Sequence, residues 1–266
     1  MINLIDSHAH LTFKELAGSL NSVLRRSSVA GVTKCITIGT DAEQNTKVIA
    51  IIDEYENLFG SVGIHPHYAS DVLAADIEEM KELAKHKKIV AIGETGLDFH
   101  YNFSTCGELS RTKPDAQKDL FKALLEIAAE RKLPVIIHSR DAFDETIEII
   151  DKFADKNTKI VFHCWGGTAD QTKIVLDKGF YISFTGVITF KNAQQTRNAA
   201  KIVPLEKMMI ETDCPYMSPE PFRKQKINEP ALLIHIAQKI AELKQVSLES
   251  FADAVAKTTK QFFNLP

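Results

Sequence analysis

Short apolar runs alternate along the chain with longer stretches in which apolar residues recur every three or four positions. The runs predict strands, and the longer stretches predict amphipathic helices. Eight strands are predicted, at residues 3–8, 33–39, 59–65, 89–94, 134–138, 160–163, 180–184 and 208–212. The clearest predicted helices span residues 76–87, 116–131 and 142–154.

Eight successive strand and helix units favour a closed TIM-type (β/α)8 barrel, because alternating elements of this kind form a parallel sheet covered by helices. An open doubly wound sheet has the same alternation, but it more often carries a Gly-rich turn after its first strand, and none is present here. Residues 229–263 predict two extra C-terminal helices, the second beginning at Ser247. No linker or repeat divides the chain, so we expect one domain over residues 1–266.

Composition narrows the class of protein. The chain has 266 residues, 44% hydrophobic and 25% charged, which is enough to bury a large core. It has no uncharged apolar run of about 18 residues, so we expect a soluble, cytoplasmic protein without membrane contact. Its four cysteines form no C-x-x-C pair, which argues against a structural zinc ribbon. A net charge of -3 argues against a nonspecific grip on long duplex DNA but permits contact with a few phosphates or one strand's end.

Candidate chemistry lies at the predicted strand ends. Asp6, His8 and His10 occupy alternating positions of the first strand, so their side chains share one face. Two histidines alone are more typical of structural roles than of metal binding. Other strand ends carry further His, Arg or carboxylate side chains, which are His65, His67, Glu94, Asp98, His138, Arg140, His163, Glu211 and Asp213. Because the carboxyl ends of barrel strands form one rim, this pattern predicts a metal site there.

Nitrogen ligands mixed with carboxylates suit divalent ions such as Mg, Mn, Zn or Co. Four or five ligands exceed what one catalytic ion needs, so we expect two ions about 3.5 to 4 Å apart. Glu94 is the expected bridge between them, since a buried carboxylate needs a cationic partner or a metal.

Sequence motifs over nearly the whole chain resemble the TatD-type metal-dependent deoxyribonucleases of the amidohydrolase superfamily. They are DSHAHL at Asp6, GIHPH at Gly63, GETGLDFHY at Gly93, IHSRDA at Ile137, HCWGGT at His163, GFYISFTGVITFKNA at Gly179, ETDCPYMSP at Glu211 and NEP at Asn228. Each motif alone is weak, but together they are highly specific to this family.

The resemblance implies roles for individual residues. It implies that two divalent ions are held by His8, His10, Glu94, His138, His163 and Asp213. His65 and, more weakly, Arg140 would contact the scissile phosphate, and Glu229 would lie near the site. His67 is either another phosphate contact or a turn-stabilising residue. Asp6 is expected to orient a ligand histidine, and Asp98 either supports structure or orients a loop or a ligand.

The chain also departs from the family pattern at three places. Ile227 stands where many relatives carry a basic residue, and residues 103–114 form a longer loop than usual. Trp165 and Gly166 replace the Phe and Ser that are more often found there. These departures are expected to alter the grip on substrate without changing the metal ligands.

The expected activity is a metal-dependent deoxyribonuclease that acts 3'-5' on single-stranded DNA, with a metal-bridging hydroxide as nucleophile. Asp213, Glu94 and His65 are the expected catalytic residues: Asp213 takes the proton of the nucleophile, and His65 stabilises charge on the phosphate. Its substrate is expected to be single-stranded DNA or 3' ends, and the protein a monomer. Two alternatives remain open: another superfamily hydrolase acting on an amide, lactone or phosphoester, and a metal-binding protein without catalysis.

Overall fold

The computed structural model describes residues 2–100 and 113–266. In these residues strands and helices alternate as the hydrophobic pattern predicts. The strands are β1 (Leu4–Ala9), β2 (Val32–Ile38), β3 (Leu58–Val62), β4 (Ile89–Asp98), β5 (Val135–Arg140), β6 (Ile160–Phe162), β7 (Tyr181–Phe184) and β8 (Met208–Ile210). The helices are α1 (Lys14–Ala17), α2 (Leu20–Val29), α3 (Ala42–Glu54), α4 (Ala74–Leu83), α5 (Pro114–Arg131), α6 (Phe143–Phe153), α7 (Ala169–Asp177), α8 (Gln194–Ile202), α9 (Leu233–Lys244) and α10 (Leu248–Phe263).

The eight strands form one sheet in which each strand neighbours the next along the chain, from β1 to β8. The pairs β1–β2, β3–β4, β4–β5, β5–β6 and β7–β8 are parallel. The first and last strands also meet, because the Ser7 hydroxyl donates to the Ile210 carbonyl oxygen at 3.0 Å. This order, with a helix between every two consecutive strands, confirms the predicted (β/α)8 fold.

The chain divides into two compact units. The first comprises the described residues up to Thr37, together with Tyr55–Phe59 and His163–Pro266. The second comprises Ile38–Glu54 and the described residues of Gly60–Phe162. The single domain over residues 1–266 that the sequence predicts stays a prediction.

The core of the first unit contains β1 and the two C-terminal helices. All six residues of β1 are buried, and α9 and α10 bury apolar side chains spaced three and four apart, including Ile236, Ile240, Val255 and Phe262. The hydroxyl of Ser247 accepts a hydrogen bond from the Ser250 amide at 3.1 Å and so caps the start of α10. The predicted start of this helix at Ser247 is confirmed.

The core of the second unit is built around β4, whose ten residues are all buried. The strand continues four residues beyond the predicted end at Glu94. A Cβ atom at Gly96 would lie 2.0 Å from the His138 carbonyl oxygen, so glycine is needed where β4 passes close to β5. This close pairing places Asp98 opposite Arg140, past the buried part of β5 and at its carboxyl end.

The helix predictions differ from the structure mainly at helix ends. Helix α4 lies at Ala74–Leu83 rather than at residues 76–87, because the chain after Leu83 turns toward β4. Helices α5 and α6 begin and end within two residues of the prediction. Among residues 2–100 and 113–266, no helix combines the length and the apolar character that crossing a membrane requires.

Candidate metal centre

The first unit brings three donor side chains together where β1 and β8 end. The Nε2 atoms of His8 and His10 are 3.3 Å apart. Oδ1 of Asp213 lies 3.2 Å from Nε2 of His10 and 3.6 Å from Nε2 of His8. All three side chains are buried. His8, His10 and Asp213 are called the first cluster below.

The spacing within the first cluster fits a single divalent ion. Two ligand atoms each about 2.1 Å from a tetrahedral ion lie about 3.4 Å from one another. The three separations here run from 3.2 to 3.6 Å. Imidazole nitrogens and a carboxylate oxygen are also the donor types that such ions bind. The first cluster therefore has both the geometry and the chemistry of a metal site.

Asp6 holds the backbone of this cluster. Its carboxylate accepts hydrogen bonds from the Thr212 amide at 2.9 Å, the Thr212 hydroxyl at 2.6 Å and the His8 amide at 3.4 Å. Burial raises the pKa of Asp6 to about 7, although the bonds from Thr212 act in the opposite direction. Asp6 was expected to orient a histidine ring. Its contacts are instead with the amide and hydroxyl of Thr212 and with the amide of His8.

The segment that carries Asp213 has an unusual backbone. Asp213 has a φ of 51°, in the left-handed region that aspartate tolerates better than most residues. The side-chain amide of Asn228, which is fully buried, donates to the Thr212 carbonyl oxygen at 2.9 Å and to the Tyr216 carbonyl oxygen at 2.7 Å. The residues before and after Asp213 are thus fixed by one side chain, Asn228, from the predicted NEP motif.

His163 lies against the first cluster, and Glu211 positions it. The His163 ring stacks on the His8 ring with centroids 4.1 Å apart. Its Nδ1 is 3.4 Å from Oε1 of Glu211, which also accepts the Cys164 amide at 2.7 Å. The other Glu211 oxygen accepts the Ser183 hydroxyl at 2.5 Å.

Glu211 is ionised by its surroundings despite complete burial. Burial itself works to raise the pKa of Glu211, but the hydrogen bond from His163 and the nearby imidazoles of His8 and His163 outweigh it, so the pKa lies below its ordinary value. Sequence reasoning noted Glu211 only as a strand-end acid and missed this role. The feature of the sequence that could have indicated this role is the position of Glu211, two residues before Asp213 and at a strand end next to predicted metal ligands.

The second unit contains another group of donors, on β4, on β5 and after β3. Nδ1 of His138 lies 2.8 Å from Oε1 of Glu94, and Nε2 of His65 lies 3.7 Å from the same oxygen. One donor atom from each residue lies within 4.8 Å of the others. Glu94 is 3% exposed. His65, Glu94 and His138 are called the second cluster below.

The Asp98 carboxylate contacts the ring nitrogen of His138 that faces away from Glu94. Its Oδ2 lies 3.0 Å from Nε2 of His138 and 3.0 Å from Nε2 of His67. Burial works to raise the pKa of Asp98, but the bonds from His138 and His67 outweigh it and hold the pKa far below its usual range. Gln117 in turn binds both backbone groups of Asp98, at 2.8 and 3.0 Å. Of the two roles expected for Asp98, the contacts support the orientation of a ligand histidine.

His65 is neutral and has a defined tautomer. Burial lowers its pKa well below the ordinary value. Its Nδ1 accepts a hydrogen bond from the His67 amide at 3.2 Å, so the ring proton resides on Nε2. That N–H is the donor available for a substrate oxygen. The His67 side chain contacts Asp98, and this contact supports the structural role expected for His67. A contact between His67 and phosphate stays a prediction.

Two predicted phosphate contacts have different surroundings. Arg140 is exposed at the end of β5, two residues after His138, so strand alternation places both on one face. Glu229 accepts hydrogen bonds from Nε of Arg26 at 2.8 Å and from Nη2 at 2.5 Å. This ion pair gives Glu229 a structural contact within the first unit. The phosphate contacts of Arg140 and Glu229 stay predictions.

Two of the residues at which the sequence departs from the family pattern, Trp165 and Ile227, differ in their exposure to solvent. Trp165 is buried, and its indole N–H donates to the Thr172 hydroxyl at 2.9 Å, so this side chain packs inside the unit. Ile227 is 40% exposed. Of the loop expected to be long, residues 103–112 lie outside the described residues.

Comparison with known proteins identifies the family. A sequence model of the family described as "TatD related DNase" matches residues 5–264. The chain belongs to this TatD family. A relative from Bacillus subtilis, the "uncharacterized metal-dependent hydrolase YabD", is 34% identical over 98% of this chain and 99% of its own length. The "3'-5' ssDNA/RNA exonuclease TatD" of Escherichia fergusonii is 33% identical over 98% of this chain and 99% of its own length.

A solved structure of the TatD family supports the same conclusion for the fold. YJJV, a TatD homolog from Escherichia coli, superposes with a TM-score of 0.89 and 28% identity over 99% of this chain and 98% of its own. Membership of the TatD family confirms the predicted fold, the hydrolase class and the dependence on metal.

Proposed function

We propose that this TatD-family hydrolase is a divalent-metal-dependent phosphodiesterase that removes nucleotides from the 3' end of single-stranded DNA. The observation that carries the proposal is the first cluster, whose buried donors are 3.2 to 3.6 Å apart. The relative from Escherichia fergusonii that is named a 3'-5' ssDNA/RNA exonuclease supports the choice of substrate and direction.

We assign the metal ligands as the family resemblance implies. Two divalent ions, of Mg, Mn, Zn or Co, are assigned to His8, His10, Glu94, His138, His163 and Asp213. When bound, such ions lower the pKa of a water nucleophile, polarise a phosphoryl oxygen and stabilise the departing sugar oxygen. Donors from both clusters are included in this set.

The chain's own residues contribute the remaining steps. The Asp213 carboxylate accepts the proton of the attacking water, since it is the buried anion of the first cluster. His65 donates its Nε2 proton as a hydrogen bond to a non-bridging phosphate oxygen, where negative charge builds in the transition state. Asp98 keeps the His138 ring in a fixed orientation through a hydrogen bond, and Glu211, whose Oε1 lies 3.4 Å from Nδ1 of His163, orients the His163 ring.

The test uses single-stranded oligodeoxynucleotides labelled at either end. With Mg or Mn, a 5'-labelled strand is expected to give a descending ladder, whereas a 3'-labelled strand releases its label as a mononucleotide at once. A chelator is expected to abolish both. If neither strand shortens in a metal-dependent way, the nuclease proposal is wrong. An RNA strand of the same sequence measures the preference between the two nucleic acids.

A further inference from the structure

The segment from Pro215 to Asn228, between β8 and α9, is a closed loop. The Asn228 amide donates to the Pro215 carbonyl oxygen at 2.9 Å, which joins the two ends. Within the loop, the Ser218 hydroxyl donates to the Gln225 carbonyl oxygen at 3.0 Å. The outgoing and returning arms therefore run side by side. Residues 215–228 are called the β8–α9 loop below.

The β8–α9 loop is fixed to the rest of the first unit. The Glu220 amide donates to the Thr189 hydroxyl at 2.8 Å. The Arg223 guanidinium carbon lies 3.5 Å from the centroid of the Phe190 ring, as in a stacked cation–π contact. A guanidinium that lies flat on a ring keeps its in-plane N–H donors available for another partner.

The outer surface of the loop combines aromatic or apolar side chains with cations. Tyr216 is 53% exposed, Phe222 38% and Ile227 40%. Arg223, Lys224 and Lys226 are exposed as well, against a single carboxylate, Glu220. Among the described residues, no carboxylate lies within salt-bridge distance of Lys224 or Lys226. The loop is thus locally basic, although the chain as a whole has a net charge of -3.

Tyr216 extends this surface to the first cluster. Its ring centroid lies 6.3 Å from that of His10 and 6.2 Å from that of Phe13. Its amide donates to the Asp213 carbonyl oxygen at 3.0 Å, so the position of the ring is tied to that of a candidate metal ligand. An exposed aromatic face therefore stands beside the candidate site of reaction.

We propose that the β8–α9 loop is the surface that binds the single strand of nucleic acid, an inference that rests on the proposed function. Tyr216 stacks on the base next to the scissile phosphate, and Arg223, Lys224 and Lys226 contact phosphates farther along the strand. Aromatic faces and cations together are how proteins bind single strands with little dependence on sequence. An acidic peptide would use the cations but not the exposed aromatic ring beside the first cluster.

The cations are tested by binding rather than by hydrolysis. A fluorescent phosphorothioate oligothymidylate, which resists cleavage, is titrated with the Mg-loaded protein at several salt concentrations, and anisotropy is recorded. The double variant K224A/K226A is expected to weaken binding about tenfold and to reduce the slope of log affinity against log salt by about 1.4, because each lost phosphate contact contributes about 0.7. Unchanged affinity and slope would overturn the proposal.

A matched control removes two exposed lysines elsewhere. Lys85 and Lys87 precede β4, at the amino end of that strand, and K85A/K87A makes the same change in net charge. This control is expected to bind like the wild type. If it weakens binding as much as K224A/K226A, the effect is one of total charge and the loop is not the binding surface.

The stacking role of Tyr216 has its own test. Tyr216→Ala is expected to weaken binding by about tenfold or more, whereas Tyr216→Phe keeps the aromatic face and is expected to bind nearly as well as the wild type. Inorganic polyphosphate is expected to compete poorly, because it has no bases. Equal competition by polyphosphate, or a Phe variant as weak as the Ala variant, would contradict stacking.

These binding results separate the inference from the nuclease proposal. A protein that binds the strand through this loop but hydrolyses no oligonucleotide would refute the proposed function and keep the binding surface. A protein that hydrolyses the strand while the loop variants bind normally would refute the binding surface and keep the nuclease. Failure of the wild type to bind any single strand would refute the loop's assignment directly.

Discussion

The first and second clusters place the same kinds of donors at strand ends, but the structure holds them in different ways. In the first, Asp213 has a left-handed backbone, and the side chains of Asp6 and Asn228 bind the chain around it. In the second, the three donors come from β4, from β5 and from the segment after β3, and the Asp98 carboxylate contacts the ring of His138 directly. The first cluster therefore depends on the backbone of a loop, whereas the second depends on a contact between side chains.

The largest expected effect comes from the loop-borne ligand itself. Asn tolerates the left-handed region as Asp does, so Asp213→Asn keeps the backbone while removing the anionic ligand and proton acceptor. We expect kcat/KM on single-stranded DNA to fall by about 100- to 10,000-fold. Initial rates measure the loss, and Asp144→Asn, an exposed change on α6, is the control with normal rates. Full activity with metal still bound would show that Asp213 does not take the proton.

Removing the side chain that fixes this loop is expected to have the next largest effect. Asn228→Ala leaves the buried carbonyl oxygen of Thr212 and the partly buried carbonyl oxygen of Tyr216 without their donor. We expect the free energy of unfolding to fall by about 2 to 4 kcal/mol, because each orphaned buried group costs about 1 to 3 kcal/mol. Urea denaturation measures it. The exposed Asn198→Ala on α8 is expected to change it by less than about 0.5 kcal/mol. If Asn228→Ala and Asn198→Ala lowered the free energy of unfolding equally, the first cluster would not depend on the backbone contacts of Asn228.

The ring contact of the second cluster is tested by Asp98→Asn. The variant keeps the size of the side chain but gives His67 and His138 a neutral acceptor in place of an anion. We expect metal affinity to fall by about 10- to 100-fold, as is typical when a carboxylate behind a histidine ligand is lost. Calorimetric titration with Mn measures it. An affinity equal to that of the wild type would mean that Asp98 serves the fold alone.

The smallest expected effect comes from the ion pair next to Asn228. Arg26 is half exposed, and solvent screens its bidentate contact with Glu229. We expect Arg26→Ala to lower the free energy of unfolding by about 1 kcal/mol or less, and less still at high salt. Urea denaturation at two salt concentrations measures both. A loss as large as that of Asn228→Ala would mean that the surface pair, rather than the buried amide, fixes the loop.

Sequence alone predicts much of this arrangement. The alternation of apolar runs and helical stretches predicts eight strands and a barrel, and the positions of His8 and His138 near the carboxyl ends of β1 and β5 follow from it directly. The continuation of β4 to Asp98 was not predicted, because every residue of that strand is buried and no alternation marks where it stops. Motif resemblance supplied the family, which no amount of periodicity reveals.

Several features of the site depend on local backbone geometry or side-chain direction, which the sequence does not signal. Cys164 and Asp213 have φ values of 48° and 51°, but neither is a glycine, so nothing in the sequence signals a left-handed backbone. Glu211 is one of several acids at strand ends, and only its contacts with His163 and the Cys164 amide distinguish it. Asp6 has the spacing of a ligand but binds Thr212 and the His8 amide instead. Side-chain direction, rather than element order, separates these roles.

Because the two ends of the β8–α9 loop are hydrogen-bonded to each other, the sequence of this loop can change in evolution or by engineering with little effect on the rest of the chain. Because Asn228 closes the segment back onto Pro215, insertions or exchanges inside it leave the flanking chain in place. The entropic cost of a longer loop rises only slowly with its length. We therefore expect residues 217–227 to tolerate replacement, whether by natural mutation or by grafting of another sequence. Such a replacement would change which nucleic-acid strands bind and would leave the neighbouring metal ligands unchanged.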